Sequence, residues 1–428
     1  GNSSVLCINK GKEGFELRID DFSADAIHED GGAHFFDADM DGDMDLYVSS
    51  GGSEFSENSK NYQDRLYMND GKASFSRVNN LPDIRVSGST VVSFDFDGDS
   101  DLDLFVGGRQ MPGAYGRPVS SFLLENKDGR FVDVSKEKAS FLSDYGMVTD
   151  AALADLDGDG AEELIVVGEW MPVRAYKFSS EGLTDVSEDM GLKQTKGWWN
   201  VVKTDDIDGD GDIDLVAGNL GLNIKYKASK EKPFKLYVDD FDNNGSNDVY
   251  LGYYEGDKCY PVRGRQCSSE QMPFVKKKFE NYNAFGTATV LDVLEGRISD
   301  NTVVQEAETF ANSIFINEGG QFKQIELPNE AQLSPVYGIA IDDFDKDGKK
   351  EVFLAGNMYN REVETTRSDA GKGCLLQIDD DGMITVKRNI ETGISADKDV
   401  RDVLVLKSDD RSLLLIANNN DKLQVYQY

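Results

Sequence analysis

The sequence predicts an all-β fold, a seven-bladed β-propeller of four-stranded antiparallel blades with a small helical insertion in one blade. Three observations predict it. One nine-residue acidic loop is written six times: Asp37 to Asp45, Asp95 to Asp103, Asp155 to Glu163, Asp206 to Asp214, Asp240 to Asp248 and Asp343 to Glu351. Each loop runs straight into a short apolar strand, LYVSS, LFVGG, LIVVG, LVAGN, VYLGY and VFLAG. Between copies lie hairpins with apolar residues alternating around a polar turn, at 64–78, 121–135, 173–187, 312–327 and 373–388. Asn-Asp-Gly and Lys-Asp-Gly between alternating strands signal tight hairpins. One unit is therefore strand, acidic loop, strand, connection, strand, turn, strand.

The loops carry the chemistry. Positions 1, 3 and 5 are Asp37, Asp39 and Asp41; Asp95, Asp97 and Asp99; Asp155, Asp157 and Asp159; Asp206, Asp208 and Asp210; Asp240, Asp242 and Asn244; Asp343, Asp345 and Asp347. So many acids in nine residues repel one another unless a cation sits among them. Alternating side chains at 1, 3 and 5 can converge on one ion, and calcium accepts six to eight oxygens in a flexible shell. The shell is completed by the carbonyl at position 7 (Asp43, Asp101, Ala161, Asp212, Ser246, Lys349) and the acid at position 9 (Asp45, Asp103, Glu163, Asp214, Asp248, Glu351). Gly or Ser at position 6 permits the sharp turn. An EF-hand is excluded, because there the last acid stands at position 12 and a helix follows. Magnesium prefers a tighter octahedron and zinc wants His or Cys. Six calcium sites are expected, with the fifth loop (Asn244) and the sixth (Lys349, Lys350) the weakest.

The loop starts at 37, 95, 155 and 206 are blade-sized steps apart; the step to 240 is short and that to 343 long. These steps imply a fourth blade with a shortened outer half and an insertion in the fifth. The insertion, 256–311, has helix-like stretches and a basic cluster, Lys276 to Lys278, and reads as a helical cap or a partner-binding element. Residues 4–19 and 402–428 read as complementary parts of one further blade, making 1–428 a single domain closed by strands from both termini.

Composition excludes several function classes. The 428 residues carry a formal net charge of −34, which argues against nucleic acid or an anionic membrane surface as partner. No apolar run is long enough to span a bilayer. The only histidines are His28 and His34, and no nucleophile elbow or phosphate loop is present, so no catalytic constellation is expected. His34 reads as an ordinary strand residue. Cys7 and Cys374 read the same way, whereas Cys259 and Cys267 are spaced to close a small loop in an oxidising compartment. Gly1 reads as a cloning remnant, with upstream residues removed.

The connections after each second strand emerge at the blade end opposite the acidic loops. They bring Arg109, Arg117, Trp170, Tyr359 and Arg361, with Trp198 and Trp199 of the GWWN segment expected on the same face. Arginine and aromatic side chains on one concave face suit an acidic sugar or a peptide; packing between blades is the competing role for the same residues.

The repeated unit D-x-D-G-D-G-x-x-D-L-x-V resembles the FG-GAP/VCBS repeats of the integrin α-subunit propeller and its bacterial relatives. Phrases such as FFDADMDGDMDLYVSSGGSEF, VVGEWMP and AGNLGLN most resemble large VCBS-repeat surface proteins of Bacteroidetes-type bacteria. The resemblance implies calcium, an extracellular, cell-surface or periplasmic location, and a place within a longer exported protein. It implies a binding or adhesion module for a glycan or protein ligand, without membrane insertion. A polysaccharide lyase on the same scaffold and a purely structural domain remain the alternatives, because fold alone does not fix function.

Overall fold

The computed structural model describes residues 4–361, 365–379, 382–408 and 411–428. The hairpin at 373–388 and the connection at 356–367 each lie partly outside them. The chain is all-β with a few short helices, and most of its sheets are four-stranded and antiparallel. It divides into two compact units. One comprises Gly1–Thr149, Phe178–Leu183 and Tyr226–Glu308; the other comprises Asp150–Lys177, Thr184–Lys225 and Thr309–Tyr428.

In the first unit, blade one pairs Asp30–Phe36, Asp45–Ser50, Arg65–Met68 and Ser76–Val78 in chain order. Blade two repeats the order with Ser87–Phe94, Asp103–Gln110, Phe122–Asn126 and Phe131–Asp133. Their first strands meet so closely that a Cβ on Gly32 would lie 2.2 Å from the Ser89 carbonyl oxygen. The N-terminal hairpin, Leu6–Asn9 with Phe15–Arg18, forms a two-stranded sheet, and Leu6 packs on Leu46, Val48 and Tyr67 of blade one.

The second unit holds most of blade three (Met147–Ala154, Glu163–Met171, Arg174–Ser179, Gly182–Asp185). It also holds blade five (Gly338–Asp342, Glu351–Ala355, Cys374–Ile378, Ile384–Lys387). A three-stranded C-terminal sheet follows, Val400–Ser408, Arg411–Asn418 and Gln424–Gln427. Blade four corrects the sequence reading. Its inner strands, Val201–Asp205 and Asp214–Gly218, pair onward with Ser313–Asn317 and Phe322–Glu326, so its outer half is full-sized and arrives late in the chain.

The intervening segment contains a separate four-stranded sheet, ordered Lys258–Pro261, Asp248–Glu255, Phe234–Asp239, Val303–Ala307. The fifth acidic loop therefore opens an inserted sheet. Spacing alone hid this, because a repeat threaded into another repeat has the same local signature as one that follows it. Four short helices (Arg265–Gln271, Phe274–Lys278, Tyr282–Gly286, Val290–Val293) cover the inserted sheet, with Met272, Val275, Phe285, Val290 and Val293 packed on Tyr237, Phe241 and Tyr250. Lys276 to Lys278 close the second of these helices, and Lys278 pairs with Glu295 at 3.0 Å. Cys259 and Cys267 are both free thiols; Cys7 and Cys374 lie in strands.

Candidate metal centres and the opposite connections

Each acidic loop joins the first two strands of its sheet, and its ninth residue begins the second strand. In the five blades the first five residues of that strand are buried throughout, as expected for apolar runs covered on both faces. The acid at the head of the strand is therefore drawn inside: none of Asp45, Asp103, Glu163, Asp214, Asp248 and Glu351 is more than 4% exposed. Burial raises the pKa of all six, that of Asp214 to about 6 and of Asp103 to about 7.

The backbone of the loop is organised around its carboxylates. Positions 4 and 6 both take positive φ in every copy: Met40 and Gly42, Gly98 and Ser100, Gly158 and Gly160, Gly209 and Gly211, Asn243 and Gly245, Lys346 and Gly348. The sequence reading found position 6 and missed position 4, where glycine in only three copies was the available signal. This winding aims amide N–H groups at the first Asp, forming a small anion-holding nest. In loop one, for example, Asp41 N and Gly42 N donate to the two oxygens of Asp37 at 3.2 and 3.0 Å. In all six loops the position-7 N–H donates to the side-chain oxygen at position 5, at 2.8–3.1 Å. In all six the position-2 N–H donates to one oxygen of the position-9 acid, at 2.8–3.1 Å.

The other position-9 oxygen separates the blades into two kinds. In blades one, two and four it belongs to Asp and accepts the backbone N–H of an Asn at or just past the end of the third strand: Asn69, Asn126 and Asn317, each at 2.8 Å. The buried Asn126 and Asn317 do more. Each amide donates to the position-8 carbonyl of its own loop (Leu102, Ile213) and to the position-2 carbonyl of the preceding one (Ala38, Leu156). Blades three and five carry Glu instead, and Phe178 and Ile378 where the others have Asn. There Glu163 Oε1 and Glu351 Oε1 are buried and accept no hydrogen bond.

These donor sets fit a hard divalent cation. Carboxylate oxygens within 4.8 Å of one another come from Asp37, Asp39 and Asp41; Asp95, Asp97 and Asp99; Asp155, Asp157 and Glu163; Asp206, Asp208 and Asp210; and Asp240, Asp242 and Asp248. Loop two also holds two buried, unbonded oxygens, Asp97 Oδ1 and Asp101 Oδ1. Burial and then repulsion from Asp99 raise Asp101 to about 6. A divalent ion would satisfy those orphaned oxygens, at a cost in desolvation the carboxylates have already met.

The residues expected on the opposite face separate. Trp199 has no exposed surface, donates its indole N–H to the Thr195 carbonyl at 2.9 Å and packs edge-on to Phe315. It is a core residue and cannot meet a ligand. Trp170 is buried too, at the end of the second strand of blade three, with its ring 4.9 Å from that of Trp198. Trp198 belongs to a short fifth strand, Gly197–Trp198, laid on blade three. Tyr359 donates to the Asp397 carbonyl and lies under Arg367, while Arg361 is among the charges around Tyr337, with Arg401 and Glu169. Arg109 is half-buried in the first unit. In the same unit, Arg117 is committed to the inserted sheet, donating to Asn247 Oδ1 at 2.9 Å. His34 faces Ser93 Oγ at 2.9 Å and stacks on Phe36, as a strand residue does.

Antiparallel blades, each with an acidic loop at the same register between its first two strands, define a repeat protein of β-propeller type. The FG-GAP-like repeat model matches residues 37–106 and 155–217, which span loops one to four. Over those residues the chain carries FG-GAP-like repeats. No relative is found among curated proteins. Solved structures give distant likenesses. The exotype rhamnogalacturonan lyase YesX aligns over 99% of this chain and 75% of its own, at 14% identity and a TM-score of 0.36. The V. cholerae biofilm matrix protein Bap1 aligns over 92% and 66%, at 11% identity and 0.36. BBS1N, in complex with ARL6DN, aligns over 92% and 91%, at 8% identity and 0.36. At these scores no activity transfers. Among the described residues no helix is long and apolar enough to cross a membrane.

Proposed function

We propose that this chain is a calcium-stabilised extracellular binding or adhesion module, recognising a glycan or protein ligand through the connections opposite its acidic loops. The observation that carries the calcium reading is the buried carboxylate at the head of every second strand, beside clustered acids of which Asp43, Asp97 and Asp101 hold buried oxygens that accept no hydrogen bond. A seven-bladed count holds if the inserted sheet and the C-terminal sheet each count beside the five four-stranded blades. Calcium in these loops neutralises carboxylates and fixes turns, so it acts on stability and leaves recognition to other residues. Trp198, Tyr359, Arg361 and Arg109 remain the ligand candidates, Trp170 and Trp199 being buried. Elemental analysis after dialysis against millimolar calcium, paired with thermal unfolding in calcium and in EGTA, tests the reading. Several ions per chain and a large calcium-dependent rise in Tm are expected; no bound calcium and no rise overturn it. Binding to a glycan array that Trp198→Ala or Arg361→Ala abolishes tests the recognition face.

A further inference from the structure

One acidic loop already holds a cation among three of its acids. Lys177 stands on the third strand of blade three, one residue beyond the pair Tyr176↔Leu164, and so opposite Glu163. Its ammonium lies 2.6 Å from Asp157 Oδ2, 2.6 Å from Asp159 Oδ2 and 3.5 Å from Glu163 Oε1. Those are the acids at positions 3, 5 and 9, and the last is the fully buried oxygen that accepts no hydrogen bond. A calcium ion at ordinary bonding distance from the same oxygens would occupy nearly the same point in space as the ammonium. The two positive charges exclude each other.

The register position is different in every blade. It is Met68 in blade one, Glu125 in blade two, Lys177 in blade three, Ile316 in blade four and Gln377 in blade five. Two are apolar and leave the loop to its own acids. Glu125 adds a further negative charge near Asp97. Gln377 reaches Asp347 Oδ2 at 3.3 Å and supplies no charge. Among the described residues only loop three has an ammonium in contact with three of its acids. Position 7 there is Ala161, where loops one, two and four have Asp, so the site is also the poorer in carboxylate.

Resting on the calcium reading above, we infer that Lys177 is the resident cation of loop three, so that this loop holds its fold without calcium while its neighbours require it. The prediction departs from the loop sequences alone, which single out loops five and six as the weak ones.

The test is a count of calcium per intact chain, by native mass spectrometry from calcium-containing ammonium acetate. Asp97→Asn, in loop two, is expected to lose one ion. Asp157→Asn, in loop three, is expected to keep the wild-type number. Lys177→Met, which installs the residue of blade one, is expected to gain one ion, to melt below wild type in EGTA and to show the larger rise on adding calcium. Lys177→Arg keeps the charge and should keep the wild-type count; Lys177→Gln, the blade-five residue, replaces Lys177→Met if that variant fails to fold. Loss of an ion in Asp157→Asn, or an unchanged count in the neutral Lys177 variants, overturns the role of Lys177 while leaving the calcium reading intact. Absence of calcium from wild type overturns that reading, and this inference with it.

Discussion

Loops two and four, with loop one, solve the problem of a buried acid in one way; loops three and six solve it in another. In the first kind a short Asp reaches just far enough for both oxygens to be held by backbone N–H groups, one from its own loop and one from a third-strand Asn. In the second kind Glu replaces Asp, the Asn is gone, and one Glu oxygen is buried without accepting a hydrogen bond. A nitrogen from the outer strands then approaches the acids: Lys177 in loop three, Lys387 on Asp345 and Gln377 on Asp347 in loop six. The lesson is that the ninth position is as much a structural strap as a ligand. How much of the strap the protein supplies sets how much is left for a metal.

The widest effect expected from this contrast is on calcium removal. At a calcium level about 100-fold above Kd, each occupied site contributes about 2.7 kcal/mol, so EGTA should lower Tm well beyond any single substitution. Asp39→Asn in loop one should remove more of the calcium-dependent rise than Asp345→Asn in loop six. Equal losses, read by scanning calorimetry in both buffers, would break the contrast.

Next comes the Asn strap. Asn126→Ala removes the bonds to the Ala38 and Leu102 carbonyls and the one accepted from Gly129 N, all in or beside the core. With buried groups left unpaired, a cost of about 3 kcal/mol is expected in denaturant unfolding. Because the same amide touches loops one and two, their calcium sites should also lose coupling, seen as a shallower binding isotherm.

A smaller gain is expected from Ser100→Gly. Ser100 has φ +79° at position 6, where the other five loops have Gly. Relief of that left-handed backbone should stabilise loop two by about 1 kcal/mol, an increase visible with or without calcium. No increase would mean that the Ser100 side chain compensates.

Asp64 is buried away from every acidic loop, accepting from Tyr47 O–H at 2.6 Å and Ser50 N–H at 2.7 Å. Burial pushes its carboxyl up to about 6 against those two bonds and Arg65. The folded state thus keeps a proton that the unfolded chain releases near pH 4. The stabilisation is fully present below that value and is lost as pH rises through about 6. In EGTA, Asp64→Asn should flatten the fall of Tm between pH 4 and 6; an unchanged slope assigns the fall to the loops.

Much of this was legible in the chain. Six loops in one register predicted the acids, the strand after each and the sharp turn at position 6, because those features lie within nine consecutive residues. What escaped lies outside that window. Lys177 and Asn126 act on loops fourteen or more residues away, through strand pairing that no local pattern reports. Laying the third strands over one another would have found both. Trp199 was misplaced because a tryptophan in a glycine-rich connection looks alike whether it covers a core or a ligand; only its burial decides. The fourth blade is not legible in the same way, because there the order of strands in space departs from their order along the chain.

That fourth blade bears on how the protein is made. Its second strand ends at Gly218, and its next partner begins at Ser313. At roughly 5–20 residues per second of synthesis, the edge of Asp214–Gly218 waits on the order of ten seconds for the strand that will cover it. An uncovered apolar edge invites pairing with another chain. The inserted sheet has its own core of Tyr237, Phe241, Tyr250 and the helices above it, and can collapse during that interval. It would then bring the chain back as a pre-formed clasp, shortening the loop that must close over the growing blade.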